Sequence, residues 1–228
     1  MEARLLLTDN DRRLFALCLA KTRATKGAGF SETSRSHVGE AHLAFGQLYG
    51  LHDEEGPTPD EMFAGFVLHD LSSFPQSYPK PDLTYLPPET VFECGELWAS
   101  TAGGAHIARQ AIWILLHVLG AKALVAYPIF KPWNLTLAYR RNFAHVGEPI
   151  EWPYACTNDG DKILVKAIVS EGDNLRHLIE EGTQYGFTAS ENAEVIRFNS
   201  PHRLFRQRER STIPPRLKEG ISQDHIAV

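Results

Sequence analysis

The stretch from Val91 to Phe143 constrains this chain most, because each of its element boundaries is written in the residues. Val91 to Trp98 is short, apolar and aromatic-rich, the composition of a buried strand. Ala102-Gly103-Gly104-Ala105 follows, a run where a backbone can turn sharply and approach a ligand closely. From His106 to Leu119 apolar residues cover most of a helix. His106, Arg109, Gln110, Trp113 and His117 recur at i, i+3, i+4, i+7 and i+11 as one narrower polar stripe. Gly120 ends that helix. Ala123 to Tyr127 reads as a second buried strand, and Pro128 and Pro132 bracket a loop before a helix over Asn134 to Arg141.

A strand feeding a glycine-rich turn and a helix N-terminus is physically an anion site. The first amides of a helix have no internal partner, and the helix dipole adds partial positive charge there. A diphosphate is the natural occupant, although a tight turn alone also needs glycine. The run is not a P-loop, since no Lys-Ser or Lys-Thr follows the second glycine, and it lacks the G-x-G-x-x-G spacing of a dinucleotide fingerprint.

The run Ser100-Thr101-Ala102-Gly103-Gly104-Ala105 resembles the pyrophosphate loop of the GNAT acyltransferase superfamily, with Ser100 where that loop usually opens on Gln or Arg. Glu93-Cys94-Gly95-Glu96-Leu97 before it, and the run from Tyr139 to Pro149 after it, are similar to the autoinducer (acyl-homoserine-lactone) synthases. Related exosortase-associated acyltransferases and N-acyl amino acid synthases are similar too. Gly95 and Glu96 replace the Ser and Arg of the lactone synthases' strand motif. The resemblance implies an α/β fold of the GNAT type: a mixed, mostly antiparallel sheet with helices on both faces and two splayed central strands. It implies a cytoplasmic, bacterial acyltransferase moving an acyl group from acyl-CoA, or from a phosphopantetheine-bound acyl carrier protein, to the amine of a small molecule.

On that resemblance Glu93 is the preferred general base, with Glu96 as its companion and Tyr139 as the acid for the departing thiolate. Coenzyme binding falls to Leu97, Trp98, Ala99, Ser100, Gly103, Gly104, Ala105 and Asn134, the amides of Leu97 to Ala99 also serving the oxyanion. The residues alone leave alternatives open. Glu93 and Glu96 stand at odd separation and face opposite sides of a strand unless Gly95 makes a bulge. Glu93 can equally be a salt-bridged strand-end carboxylate, and Tyr139 a core tyrosine. His69-Asp70, at the end of another strand, reads as structural. Cys94 has no placed His partner and reads as simply buried.

Composition narrows the class. A net charge of -5 argues against a general nucleic-acid binder. Three cysteines without a C-x-x-C, and histidines without ligand spacing, indicate neither a disulfide framework nor a metal site. No run approaches the length of a membrane span, and the first residues are too weakly apolar for a signal peptide. At 228 residues the expectation is one domain over residues 1–198 and a basic, proline-broken arm over 199–228.

Along the chain, Ala3 to Leu7 reads as a strand, and Thr8 to Asp11 offer N-caps for a helix with Leu14, Leu17 and Cys18 on one face. Gly27 to Val38 reads as a loop. Ala41 to Leu51 and Met62 to His69 form a long hairpin around an acidic, proline-containing tip. Ser72 to Pro88, with five prolines and three aromatics, reads as an ordered loop packed on the sheet, a wall for an acyl pocket. Lys162 to Val169 alternates with Ile163, Val165, Ala167 and Val169 inward, after a turn at Asn158 to Asp161. Asp173 then caps a short helix carrying Leu175, Leu178 and Ile179 and closed by Gly182. Arg109, Lys131, Arg140 and Arg141 could form a basic rim for an acidic carrier protein. Two rivals remain: a non-catalytic binder of an acyl ligand or protein that keeps the fold, and a relative of the thermostable hemolysins, for which no amphipathic basic helix is present. Acceptor, chain length and oligomeric state are not legible.

Overall fold

Strand alternation sorts this chain's apolar residues onto two faces of one sheet, and each face recruits its own helices. The computed structural model describes residues 1–26, 31, 46–53, 62–73, 81–130, 142–157 and 159–202, without side chains at 24–26 and 153–155. The elements run β1 (Glu2–Leu5), α1 (Asp9–Lys26), β2 (Gln47–His52), β3 (Met62–Asp70), β4 (Val91–Ala99), α2 (Ala102–Val118), β5 (Ala123–Ala126), β6 (Ala144–Cys156), β7 (Lys162–Glu171), α3 (Gly172–Thr183), β8 (Phe187–Ala189) and β9 (Val195–Phe198). The strands form a nine-stranded sheet in the order β6-β7-β5-β4-β3-β2-β1-β9-β8. Only β4 and β5 are paired parallel, joined through α2; every other neighbour is antiparallel. The mixed, largely antiparallel sheet is therefore as the sequence implied.

On one face Leu6, Leu48, Met62, Val67 and Trp98 pack with Phe15 and Leu19 of α1. On the other, Ala3, Tyr49, Leu51, Ala64, Phe66, Leu68 and Phe92 pack with α2 and α3. Helices thus cover both faces. Thr8 starts α1: its hydroxyl accepts from the Asp11 amide at 3.2 Å and donates to the Asp11 carboxylate at 2.6 Å, a reciprocal cap. Leu14 and Leu17 do not face the sheet; they are exposed, and the inward positions are Phe15 and Leu19. That row, at i and i+4, continues to Arg23, which is why a guanidinium is carried inward at the helix's far end.

Three expectations shift. The helix after β4 begins at Ala102, not His106, because Thr101 caps it by accepting from the Gly104 amide. Gly103 and Gly104 are thus the second and third residues of α2. Asp173 lies inside the first turn of α3, whose N-cap is Glu171 with no side-chain cap bond. Gly182 does not close α3 either: a methyl built on it would lie 2.5 Å from Trp113 Cβ, so the glycine lets α3 press onto α2. Strands β8 and β9 had no sequence reading of their own. The inward row Ile163, Val165, Ala167 and Val169 of β7 is buried as expected. The described part of the proline-rich loop also packs on the sheet, Leu83 beside Val91, Val125 and Val169.

Candidate functional site

The central feature is where β4 changes partners. β5 follows it only from Val91↔Ala123 to Cys94↔Ala126, whereas β4 continues to Ala99 along β3. The register with β3 slips in this second half: Val67 faces Gly95, Gly65 faces Trp98, and both Glu96 and Leu97 stand against Phe66. This is a β-bulge, one residue beyond the glycine that hinted at it. Glu96 adopts φ 51°, a left-handed conformation that costs a non-glycine residue about 1–2 kcal/mol. Past Cys94 the β5 side of β4 has no strand partner among the described residues, an opening in the described sheet.

The bulge turns two acidic side chains to the same side. Glu93 lies on the face opposite Phe92, and the extra residue brings Glu96 round to that face too, where it pairs with Arg23 of α1. Both carboxylates are buried, Glu93 at 3% and Glu96 at 8% relative exposure. The Arg23 guanidinium also lies over the Trp152 ring of β6, 5.6 Å from its centroid, so α1, the bulge and the β6–β7 hairpin meet over the opening. Ser31, beyond α1, donates its amide to the Cys156 carbonyl at 2.9 Å and ties the same hairpin. Across the sheet His69 is Glu93's register partner, its Nε2 3.8 Å from the Glu93 carboxylate. Burial, and then the charges of Glu93 and Glu96, push the Cys94 thiol up to about 12. It is a poor nucleophile.

At the end of β4 the chain enters α2. Ser100 is committed to β3: its amide and its hydroxyl both donate to the Phe63 carbonyl, at 2.9 and 3.0 Å. Thr101 takes the Gly104 amide at 3.0 Å, and the Ala105 amide closes onto the Thr101 carbonyl at 3.2 Å. Among the described residues, the amides of Ala102 and Gly103 are left with no partner at the positive end of a 17-residue helix. A partly opened parallel strand pair, a bulge and an uncapped pair of helix amides therefore stand in sequence along one edge.

Comparison with solved structures decides what this architecture is. The fold superposes on FeeM, an N-acyl amino acid synthase from uncultured soil microbes, with a TM-score of 0.51 over 81% of this chain and 98% of that one, at 11% identity. It also superposes on TofI in a ternary complex with an inhibitor and MTA, with a TM-score of 0.50 over 79% and 97% of the two chains, at 12% identity. The chain has the GNAT fold. No family model matches its sequence, and no curated protein does, so the likeness is one of fold alone.

Within this GNAT fold the structure gathers Glu93, Glu96, Leu97, Trp98, Ala99, Ser100, Gly103, Gly104 and Ala105 on one continuous strand-to-helix segment. Trp98 is turned inward against Phe15, edge to face at 5.8 Å, and Leu97 is exposed. Tyr139 and Asn134 lie outside the described residues, as do Lys131, Arg140 and Arg141 of the expected basic rim. Arg23 and Trp152 had no sequence signal, since neither stands near the motif in the chain; only the inward row of α1 could have raised Arg23.

The polar stripe of α2 proves to be a docking seam. Gln110 Nε2 donates to the carbonyls of Gly182 at 3.2 Å and Asn199 at 2.7 Å. Trp113 receives Gly182, His117 meets the edge of Phe187 at 5.8 Å, and His106 stacks on His202 at 4.5 Å. These contacts buttress α2, the helix that follows the bulge. Among the described residues no group of His, Cys, Asp and Glu could hold a metal, and no helix is long and apolar enough to cross a membrane.

Proposed function

We propose that this chain is an acyltransferase that moves an acyl group from a thioester carrier, acyl-CoA or acyl carrier protein, to the amine of a small molecule. The observation that carries this reading is a buried carboxylate, Glu93, on a strand whose β5 pairing stops at Cys94 and which runs on into a helix whose first two amides have no partner among the described residues. Each requirement of the chemistry has a candidate. Phosphate oxygens of the carrier accept from the Ala102 and Gly103 amides. The thioester then lies along the β5 side of β4, where backbone amides among Leu97 to Ala99 would receive the oxyanion. An amine attacks the thioester carbon; a C–N bond forms, the C–S bond breaks, and the amine's proton goes to Glu93. Tyr139 is assigned the proton for the departing thiolate. Glu96, paired with Arg23, holds the bulge rather than the proton. Residues 1–198 would form the catalytic domain and 199–228 a basic arm leaving from beside α2.

Ala102→Asp tests the phosphate assignment. Ala102 is exposed at the first position of α2, where a carboxylate favours the helix by about 0.3–1 kcal/mol but repels phosphate. The variant should melt at or above the parent temperature and bind CoA at least 10-fold more weakly by calorimetry, because its carboxylate competes with phosphate for the helix N-terminus. Unchanged CoA affinity would refute the site. CoA binding without thiol release from acyl donors, across an amine panel, would instead mark a non-catalytic binder.

A further inference from the structure

We propose that His69 is a positioning residue: with Glu93 it forms one buried proton acceptor, which takes the proton released as the amine is acylated. This rests on the acyl-transfer reading above and extends it to a residue on a neighbouring strand.

Geometry sets the pair. His69 and Glu93 are direct cross-strand partners between β3 and β4, so their side chains rise from the same face of the sheet. Nε2 lies 3.8 Å from Oε2, ion-pair range rather than hydrogen-bond length, and both side chains are at most 4% exposed. Asp70, the next residue, is not a competitor. Its carboxylate accepts from the amides of Ser72 and Ser73 at 2.9 and 3.1 Å and serves the turn that ends β3.

The groups around the pair fix its charge arithmetic. On β4, Glu96 faces the same side, and α1 answers it with Arg23. Tyr127, just past the end of β5, and Val146, Val169, Leu71, Leu83 and Leu86 from the flanking strands and loop pack into the adjoining apolar cluster. Among the described residues the set at this point holds two carboxylates, the Arg23 cation and one imidazole. With His69 neutral the set carries one net negative charge; with His69 protonated it carries none. Taking up one proton therefore brings this set to neutrality, and the two facing side chains are placed to hold that proton together. The attacking amine is neutral; as its C–N bond forms and the C–S bond breaks, its one released proton settles as imidazolium beside carboxylate, while Tyr139 supplies the proton of the departing thiolate. A lone Glu93 would instead finish as a buried neutral acid next to Glu96.

Two measurements test this. His69→Gln keeps the size and polarity but cannot titrate. It should lower kcat about 10–100-fold with KM within about twofold, part of the range for a positioned proton acceptor. The acid limb of its pH profile should also move down by more than about one pH unit, because only carboxylate titration remains. An unmoved limb with parental kcat would overturn the proposal. The second measurement needs no turnover: the His69 imidazole is titrated by NMR in the parent and in Glu93→Gln. Loss of the carboxylate should make His69 titrate at lower pH. Identical titration overturns the pair even if the enzyme works, whereas a shifted titration in a protein inert toward thioesters leaves the pair and removes the acyl-transfer reading.

Discussion

Gly182→Ala is the sharpest probe of how α3 supports the candidate site. The added methyl would sit 2.5 Å from Trp113 Cβ and 3.3 Å from the Gln110 carbonyl oxygen. Neither is the far end of a flexible side chain, so relief requires the two helices to separate by about 1 Å, toward an ordinary carbon–carbon contact of roughly 3.5–4 Å. Overpacking of this kind costs about 1–3 kcal/mol. Separation also stretches the 3.2 Å bond from Gln110 Nε2 to the Gly182 carbonyl, worth about 0.5–1.5 kcal/mol. Against these stands the helix-propensity gain of alanine over glycine, about 1 kcal/mol. The net is a loss of about 2 kcal/mol, which for a protein of this size lowers Tm by roughly 4–8 °C. Calorimetry and urea titration of the parent, Gly182→Ala and the exposed control Glu181→Ala measure it. The control should stay within about 0.5 kcal/mol of the parent. If Gly182→Ala melts at the parent temperature or higher, propensity has won, and the close α2–α3 approach is not what the glycine is for.

Two further outcomes follow from the buried groups around the opening. Glu96→Gln removes the carboxylate that pairs with Arg23, whose side chain is only 10% exposed, and should cost about 3–5 kcal/mol in urea unfolding. Arg23→Met/Glu96→Gln should recover much of it; a double variant as unstable as the single would show that the charge pair is not the source. Cys94, its thiol pushed up to about 12 by burial and then by Glu93 and Glu96, is about one part in ten thousand thiolate at pH 8. Mass spectrometry after iodoacetamide treatment should find it unmodified in the native protein and modified after unfolding, and rapid native labelling would contradict the burial.

The strand–helix–strand core was legible because its signals are local. Gly95 pointed to a bulge, and the bulge falls at Glu96 and Leu97, one residue on. The start of α2 was misplaced because two adjacent glycines imitate a turn, while the true signal, Thr101 two positions before Gly103, is a capping residue that acts through a single hydroxyl. Gly182 imitated a helix end for the same reason; its role depends on a tryptophan 69 positions earlier in the sequence. What could not be read was everything set by register across the sheet. His69 meets Glu93, and Arg23 meets Glu96, only once three separate elements have settled against one another. Strands β8 and β9 are three and four residues long, too short to show a period.

The position of β1 carries a kinetic consequence. That strand lies between β2 and β9, with Ala3 opposite both Leu51 and Ile196, and the Phe198 amide donates to the Met1 carbonyl at 3.0 Å. Strand β1 thus borders β9, a strand nearly two hundred residues further along the chain. Its inner edge can be satisfied early by the β2 hairpin, but its outer edge must wait until nearly two hundred residues have been made. Closing so large a loop is entropically costly before any contact rewards it, so this seam would be among the last to form and a slow step in refolding. Until then β1 presents an open strand edge to any other extended chain nearby.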